Sequence, residues 1–420
     1  MIYEEEIDIN YLEQPTIFDK LLEPVQAFVE GQAQELPQPH RPTYPYLMFF
    51  RTLICYFVSD LPSLKLFINT QLNQGLLPDT LKLIPVPYNT FRDAFERYSP
   101  HLFRTVFEHL VTTLPLRQLP ELAIFGTLYC IDGSLFPVLN SMVWAAYTSH
   151  SQALRLHMCF ELNRMIPVDF LVGSGKSSER HALRAMLVDG VTYIADRGYM
   201  CFHLFHEIAE AKSYFVFRVK RNLVYETIKT LTLDLPPAVQ RLFYDVTDEW
   251  IRCPNDPHGG MYRLVRFRVA AESYYIMTNR FELSTFQVMM LYAYRWQVEL
   301  LFRFLKRTMN GLHLIKNTNR GVTIQFYTLM ITALLELHLK QQIVTQYDED
   351  HDEISIENDT RSESDFSNSE TRLSDTGQFF KIIGDKLNRY WKVGIHWLTA
   401  LRSLLGRPFN KRSIEILGST

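Results

Sequence analysis

The stretch that decides the fold is "YAYRWQVELLFRFLKR", residues 292–307. At a helical period of about 100° per residue, its charged side chains and Tyr292 fall in one stripe along one side of the helix. The stripe comprises Tyr292, Arg295, Glu299, Arg303, Lys306 and Arg307. Apolar residues fill the rest of the circumference, which predicts a single, largely buried helix. A solvated face usually mixes both signs of charge, whereas this one sets a single carboxylate among four cations. We therefore expect the stripe to face a ligand.

Two aspartates stand where apolar strand patterns end. "TLYCID" (127–132) ends on Asp132, and "VTYIAD" (191–196) ends on Asp196. Each aspartate alone fits an ordinary turn, because Asp and Gly commonly follow strands. A carboxylate at the end of a buried strand nevertheless suits a hard cation such as Mg²⁺, which prefers oxygen ligands. Together with Glu299, the two aspartates would form a set of three carboxylates.

The region around these strands has an α/β pattern. Further strands are predicted over 154–162, 165–173 and 214–220, with helices near 178–188 and 202–212. Such an alternation is typical of a mixed sheet covered by helices. Residues 221–283 instead alternate apolar and polar positions with period two, which predicts a β-rich insertion.

The chain is thus expected to divide into five parts. These are an N-terminal helical domain (1–120), an α/β catalytic domain (121–220 and 284–345), the β-rich insertion (221–283), an acidic disordered segment (346–378) and a C-terminal helical tail (379–420). The N-terminal domain fits two interpretations equally, a packing subdomain and a domain that recognises DNA ends.

The charge is distributed unevenly along the 420 residues. The net charge is −3, but residues 348–375 alone contain 11 acidic and 2 basic side chains. Without that segment the chain has 41 basic and 35 acidic side chains, a net charge of +6. A mildly basic body permits a phosphate-bearing ligand.

Several classes of protein are disfavoured. The five cysteines include no C-x-x-C pair, which argues for a reducing compartment and against a zinc ribbon. No apolar run approaches the roughly eighteen residues of a membrane span. "GSGKSS" (173–178) is not a complete phosphate-binding loop, because the position for its first glycine is Phe170. We therefore expect neither a membrane partner nor ATP.

Several of these motifs together resemble one family. Tyr292, Arg295, Glu299 and Lys306 match the spacing Y-x2-R-x3-E-x6-K in full. "CIDGS" (130–134), "ADRGY" (195–199) and "FVFRVKRN" (215–222) lie before them in the appropriate order. The region 127–335 thereby resembles the bacterial insertion-sequence transposases of the DDE type, in the group often called IS-four.

The resemblance implies a ribonuclease-H-like catalytic fold and a DNA-cutting site. Asp132, Asp196 and Glu299 would be the catalytic residues and would bind two Mg²⁺ ions, with Mn²⁺ as a substitute. The residues expected to bind DNA are Tyr292, Arg295, Arg303, Lys306 and Trp296. For Trp296, stacking on an unpaired base competes with simple core packing, which is slightly favoured.

The function expected from the resemblance is that of a DNA transposase. It would cut at transposon ends and join the freed 3′-hydroxyl to target DNA, acting as a homodimer on double-stranded DNA. It would work in the bacterial cytoplasm, associated with the nucleoid when bound. Two alternatives remain open: a ribonuclease-H-like nuclease without strand transfer, and an inactive, transposase-derived DNA-binding protein.

Overall fold

The computed structural model describes residues 14–37, 43–59, 61–75, 77–138, 142–148, 151–240, 242–269, 271–299, 301–302, 314–355 and 395–419. These residues fall into two compact units. One lies within 1–117, 306–361 and 391–420, and the other within 118–305.

The first unit is helical, as the sequence predicts. Its helices are α1 (Ile17–Glu35), α2 (Tyr46–Val58), α3 (Leu64–Phe67), α4 (Leu77–Leu81), α5 (Tyr88–Arg97), α6 (Pro100–Thr113), α11 (Asn319–Ser355), α12 (Ile395–Leu404) and α13 (Lys411–Gly418). A π-helical turn, Ile68–Leu72, follows α3 directly. The continuous helical pattern over 88–114 is divided into α5 and α6, because Ser99 caps a new helix that begins at Pro100.

Helix α11 is the centre of the helical unit. It packs against α1, α2, α5 and α6, and almost all of its side chains up to Leu339 are buried. Its Asn319–Tyr347 part is long and apolar enough to cross a membrane, but 89% of its most apolar window is buried inside the protein. That burial is typical of a core helix.

Helix α11 also differs from two expectations. The sequence assigned residues up to 345 to the catalytic domain, whereas the packing of α11 assigns it to the helical unit. Disorder was expected from residue 346, yet the helix continues to Ser355. The rest of the acidic segment lies outside the described residues.

The second unit is built on one mixed sheet. Within the described residues its strands are β1 (Thr127–Val138), β2 (Gln152–Glu161), β3 (Ile166–Ser174), β4 (Val191–Ala195), β5 (Tyr214–Arg218), β6 (Glu226–Thr230), β7 (Tyr244–Arg252), β8 (Met261–Val269) and β9 (Glu272–Thr278). Their order is β3-β2-β1-β4-β5-β9-β8-β7-β6. The helices of this unit are α7 (Glu179–Ala185), α8 (Phe202–Glu210), α9 (Pro237–Gln240) and α10 (Thr285–Tyr294).

Strands β1, β4 and β5 run parallel in the middle of the sheet, and β2 and β3 extend it antiparallel from β1. All five residues of β4 are buried, which explains why that stretch reads as a continuous apolar run. One expectation is wrong. Asp132 does not end its strand, because β2 pairs with β1 as far as Val138 and keeps it extended.

The β-rich insertion continues the same sheet. Its last strand, β9, pairs antiparallel with β5, so that Val216 lies opposite Thr278. Strands β8, β7 and β6 follow outward in antiparallel order. The insertion therefore extends the sheet of the second unit and returns the chain to it at the start of α10.

The helix predicted over residues 292–307 is interrupted at Arg295, and residues 300 and 303–307 lie outside the described part of the chain. Helix α10 ends at Tyr294, Arg295 lies in a turn, and residues 296–299 are helical again. The Val298 amide donates to the Arg295 carbonyl at 3.2 Å, a three-residue spacing tighter than that of an α-helix. The backbone of Arg295 keeps helical angles (φ −50°, ψ −31°), so the chain continues in nearly the same direction.

Candidate active site

The three predicted carboxylates come from three separate elements of the second unit. Asp132 lies within β1, and Asp196 directly follows β4, the parallel neighbour of β1. Glu299 lies in the helical residues 296–299, after α10, which packs on β4, β5 and β9. Asp132 is close enough to the other two carboxylates for both to influence its protonation. The structure thus brings Asp132, Asp196 and Glu299 into one neighbourhood.

Arg295 bridges two of these carboxylates. Its Nη2 donates to Glu299 Oε1 at 2.7 Å, and its Nη1 lies 3.4 Å from Asp132 Oδ2. Burial opposes the charge on Arg295, but Tyr292, Asp132 and Glu299 together raise its pKa above the usual value. The guanidinium is therefore firmly charged and supplies the positive charge that the carboxylates require.

Tyr292 reaches the third carboxylate. Its hydroxyl donates to Asp196 Oδ1 at 3.3 Å, and burial raises the pKa of Tyr292 to about 12. The Tyr292 ring packs 6.1 Å from that of Tyr274 on β9, and Arg218 at the end of β5 stacks on Tyr274 at 4.6 Å. The signature tyrosine is thus held as a neutral hydrogen-bond donor.

The charge balance of the site is least favourable at Asp132. The pKa of Asp132 is raised to about 6, mainly by burial. The carboxylates of Glu299 and Asp196 also raise this pKa, whereas Arg295 and the Gly133 amide lower it. The Gly133 amide donates to Asp132 Oδ1 at 2.8 Å, and the Arg197 amide donates likewise to Asp196. Two negative neighbours and a partly dry environment make Asp132 a group that an additional cation would stabilise.

The insertion fixes the position of α10 through a second, fully buried ion pair. Asp248 on β7 accepts hydrogen bonds from Arg263 on β8 at 2.9 and 2.6 Å, and from the hydroxyl of Thr285 at 2.8 Å. Arg263 also donates to the carbonyl of Leu283. Because Thr285 is the first residue of α10, the start of the helix that carries Tyr292 is joined directly to the insertion.

Of the three remaining residues predicted to bind DNA, the structure describes only Trp296. The side chain of Trp296 is 41% exposed, so the favoured interpretation of it as a core residue is wrong. Arg303 and Lys306 lie outside the described residues.

Several groups that contribute to the site were not identified from the sequence pattern. The amides of Gly133 and Arg197 carried no sequence signal, because backbone donors are independent of residue type. Arg218 and Tyr274 could have been noticed, since Arg218 lies within the basic stretch "FVFRVKRN". Asp248 and Arg263 lie on strands whose alternating pattern gave no reason to single out either residue.

The donor chemistry of the site fits a hard divalent cation. Three carboxylates lie near one another, and the pKa of Asp132 is raised chiefly by burial and in smaller part by its two acidic neighbours. In the arrangement described, Arg295 bonds two of them. Among the described residues no three His, Cys, Asp or Glu side chains are yet grouped closely enough to hold one ion. Binding a metal would therefore require Arg295 and the carboxylates to move.

Comparison with known proteins agrees with this geometry. Residues 124–335 match the family described as the transposase DDE domain, over half of the chain. The chain therefore belongs to the family of DDE transposase domains. The matched region contains the strands of the sheet, the insertion and all three carboxylates.

Two curated relatives are also named as transposases. A Sinorhizobium fredii protein assigned by name as a transposase, y4zB, is 25% identical over 221 residues, covering 51% of this chain and 62% of the relative. A Geobacillus stearothermophilus protein, assigned as the transposase for insertion sequence element IS5377, is 24% identical over 210 residues, covering 49% and 55%. The matches thus span less than two thirds of either relative.

One solved structure aligns over most of the chain. It is the cryo-EM structure of piggyBac transposase in a synaptic complex with hairpin DNA, with a TM-score of 0.40 and 12% identity. The alignment covers 96% of this chain and 82% of the other.

Proposed function

We propose that this chain is a DNA transposase of the IS-four group of insertion sequences. It cuts at the ends of its element and joins the 3′-hydroxyl to target DNA. The observation that carries the proposal is the convergence of Asp132, Asp196 and Glu299 from three distant parts of the sequence, with Arg295 and Tyr292 bonded to them. A protein that only bound DNA would need cations at this position and no partly buried, mutually repelling carboxylates.

In the proposed mechanism Asp132, Asp196 and Glu299 hold two divalent ions, Mg²⁺ in the cell or Mn²⁺ in its place. When bound, the ions supply an activated water nucleophile and stabilise the leaving 3′-oxygen. Arg295 neutralises Asp132 and Glu299 in the arrangement described, and its guanidinium would be available to hold a DNA phosphate if a cation took over that charge. The hydroxyl of Tyr292 keeps Asp196 oriented, and its raised pKa keeps it protonated at neutral pH.

Trp296, Arg303 and Lys306 complete the proposed DNA contacts. The exposed ring of Trp296 is suited to stacking on an unpaired base at the cut. Arg303 and Lys306 follow Glu299 in sequence and bind phosphates on the same strand. The enzyme works as a homodimer that bridges two element ends, in the bacterial cytoplasm at the nucleoid, without ATP.

The test is a strand-transfer assay with Mg²⁺, a duplex ending in the element's terminal repeat, and a supercoiled target plasmid. The wild type should give joined products. Glu299→Gln should bind the duplex nearly as well and lose at least about 10³-fold in cleavage, because it removes one of three metal-binding carboxylates. Glu226→Gln, an exposed position on β6, is the matched control and should remain active.

The other outcomes identify the alternatives. Cleavage without joined products would favour a nuclease, and binding with neither reaction in the wild type would favour an inactive DNA-binding protein. A thermal melt gives an independent readout. At tenfold above the dissociation constant, Mg²⁺ should stabilise the wild type by about 1.4 kcal/mol, and Glu299→Gln by less.

A further inference from the structure

A polar pocket of about 490 Å³ lies beside the carboxylates in the same unit. We call it the β3–α7 pocket, because residues 175–178 between β3 and α7 form one wall. Arg155 from β2 and Gly198 line the opposite side. Its charged lining consists of Arg155, Lys176 and Arg180 against a single acid, Glu179. This excess of positive charge has no part in the mechanism above.

The floor of the pocket is firmly built. Arg155 Nη1 bonds Glu179 Oε1 at 2.8 Å, and both side chains are mostly buried. A Cβ on Gly198 would lie 2.1 Å from Glu179 Oε2, so a larger residue there would displace the Glu179 carboxylate from this position. The buried His157 bonds the Ser177 hydroxyl at 2.9 Å and fastens the wall to β2. The pocket is therefore a preformed feature and does not depend on flexible surface side chains alone.

The pocket lies near both catalytic aspartates, but Arg155 and His157 project from the face of the sheet opposite to that of Asp132, because they pair with Leu135 and Gly133. His157 is paired with Gly133, the residue after Asp132. The Cδ atom of Arg155 lies 3.7 Å from the position of a Cβ on Gly133. On the other side, Gly198 is two residues beyond Asp196. A DNA strand whose phosphate lies at the carboxylates would thus reach the pocket by passing the edge of the sheet beside Gly198.

The rim cations are available for such a strand. Lys176 and Arg180 are exposed, and neither has an ion-pair partner among the residues that the structure describes. Arg155, although paired with Glu179, has a buried Nε for which no hydrogen-bond partner is found within the described part of the chain. Exposed cations over a buried arginine suit a phosphodiester, which carries one negative charge and several acceptor oxygens.

We propose that the β3–α7 pocket binds one backbone phosphate of the DNA strand that is cut, through Arg155, Lys176 and Arg180. The inference rests on the proposed function, since it assigns a place on this protein to a phosphate near the scissile one. Lys176 and Arg180 bind the phosphate directly, and Arg155 provides a positive floor. This contact positions the strand and takes no part in bond making or breaking.

The test compares the full-length double variant Lys176→Ala/Arg180→Ala with the wild type, without divalent metal. The probe is a fluorescein-labelled duplex ending in the element's terminal repeat, followed by anisotropy at several KCl concentrations. The slope of log K against log[KCl] should become shallower by about 1 for each cation removed. Arg184→Ala is the matched control, because Arg184 is an exposed cation on α7 outside the pocket and pairs with Glu207. Its slope should stay near that of the wild type.

A second measurement identifies the phosphate. Single phosphates near the cut are replaced, one at a time, by neutral methylphosphonate. The wild type should lose affinity at one phosphate within a few nucleotides of the cut, and the double variant should be insensitive to that replacement. An unchanged salt slope with an unchanged methylphosphonate profile would overturn the inference, and so would equal slope losses in Arg184→Ala. Failure of the proposed function is seen separately, as absence of Glu299-dependent cleavage by the wild type.

Discussion

Two clusters in the second unit each combine positive and negative side chains, and they are built differently. In the insertion, Asp248 and Arg263 are 0% and 3% exposed, and Asp248 accepts three hydrogen bonds at 2.6–2.9 Å. At the site, Arg295 has one short bond, to Glu299, and a longer contact of 3.4 Å with Asp132. The first cluster is complete without any ligand. The second has three carboxylates and one guanidinium, which bonds only two of them.

The difference distinguishes charged side chains that fix the structure from charged side chains that remain available to a ligand. A buried ion pair that satisfies its own hydrogen bonds fixes geometry, and here it fixes the start of α10. A partly buried cluster with surplus negative charge costs stability until a cation arrives, and the pKa of Asp132, raised to about 6 mainly by burial and also by its two acidic neighbours, reflects that cost. Stability measurements can therefore distinguish the two clusters without any assay of activity.

The largest effect is expected from breaking the complete pair. Asp248→Asn leaves the guanidinium of Arg263 buried without its counter-charge, and loss of one partner of a buried pair costs about 3–5 kcal/mol. Urea denaturation measures the change in the free energy of unfolding. The control is Asp245→Asn on the same strand, since Asp245 pairs with Arg268 at the surface and should cost less than about 1 kcal/mol. Equal losses in the two variants would contradict the distinction.

A smaller effect of opposite sign is expected at the site. The pKa of Asp132 is higher in the folded protein than in the unfolded chain, so its proton favours folding at low pH. That contribution is present below about pH 4 and is lost as the pH rises through about 6. Without metal, Asp132→Asn should therefore match the wild type near pH 4 and exceed its stability by about 1–3 kcal/mol at pH 7.5.

Denaturation curves at several pH values, recorded in a chelating buffer, measure this difference. Asp189→Asn, in the exposed turn before β4, serves as the control and should stay within about 0.5 kcal/mol of the wild type at every pH. A wild type more stable than Asp132→Asn at pH 7.5 would mean that Arg295 already compensates the site fully.

The smallest effect is expected for Trp296. Because its ring is exposed, Trp296→Ala should change the free energy of unfolding by less than about 1 kcal/mol. The fully buried Trp397 of the helical unit provides the contrast, and Trp397→Ala should cost about 3–5 kcal/mol. Thermal melts of both variants measure the difference. A large loss for Trp296→Ala would restore the core-packing interpretation.

Local patterns in the sequence were sufficient to predict much of the fold. The apolar strand patterns of β1 to β5 and the alternation of β7 to β9 were recognisable because burial alone determines them. The sequence predicted separate roles for Arg295 and Glu299, in binding phosphate and metal, and did not predict the bond between them, although a four-residue spacing brings side chains together on a helix. That spacing survives the turn at Arg295, because the backbone there stays helical.

Features that depend on distant partners could not be predicted. Asp132 lies inside its strand because β2 continues to pair beyond it, and the pattern of β1 alone does not contain that information. The contact of Arg295 with Asp132 joins residues 163 positions apart. The apolar composition of α11 predicted a buried helix but did not indicate which core would bury it.

The pairing of β5 with β9 has a consequence for the order in which the chain assembles. Both aspartates are synthesised before the insertion begins, whereas Glu299 follows Asp196 by 103 residues. At ribosomal rates of about 5–20 residues per second, that interval lasts roughly 5–20 s. Helix α10 packs on β5 and β9, so it has no complete docking surface until the insertion has folded back. A nascent or truncated chain therefore lacks the third carboxylate at the site, because Glu299 reaches its place only when the sheet is finished.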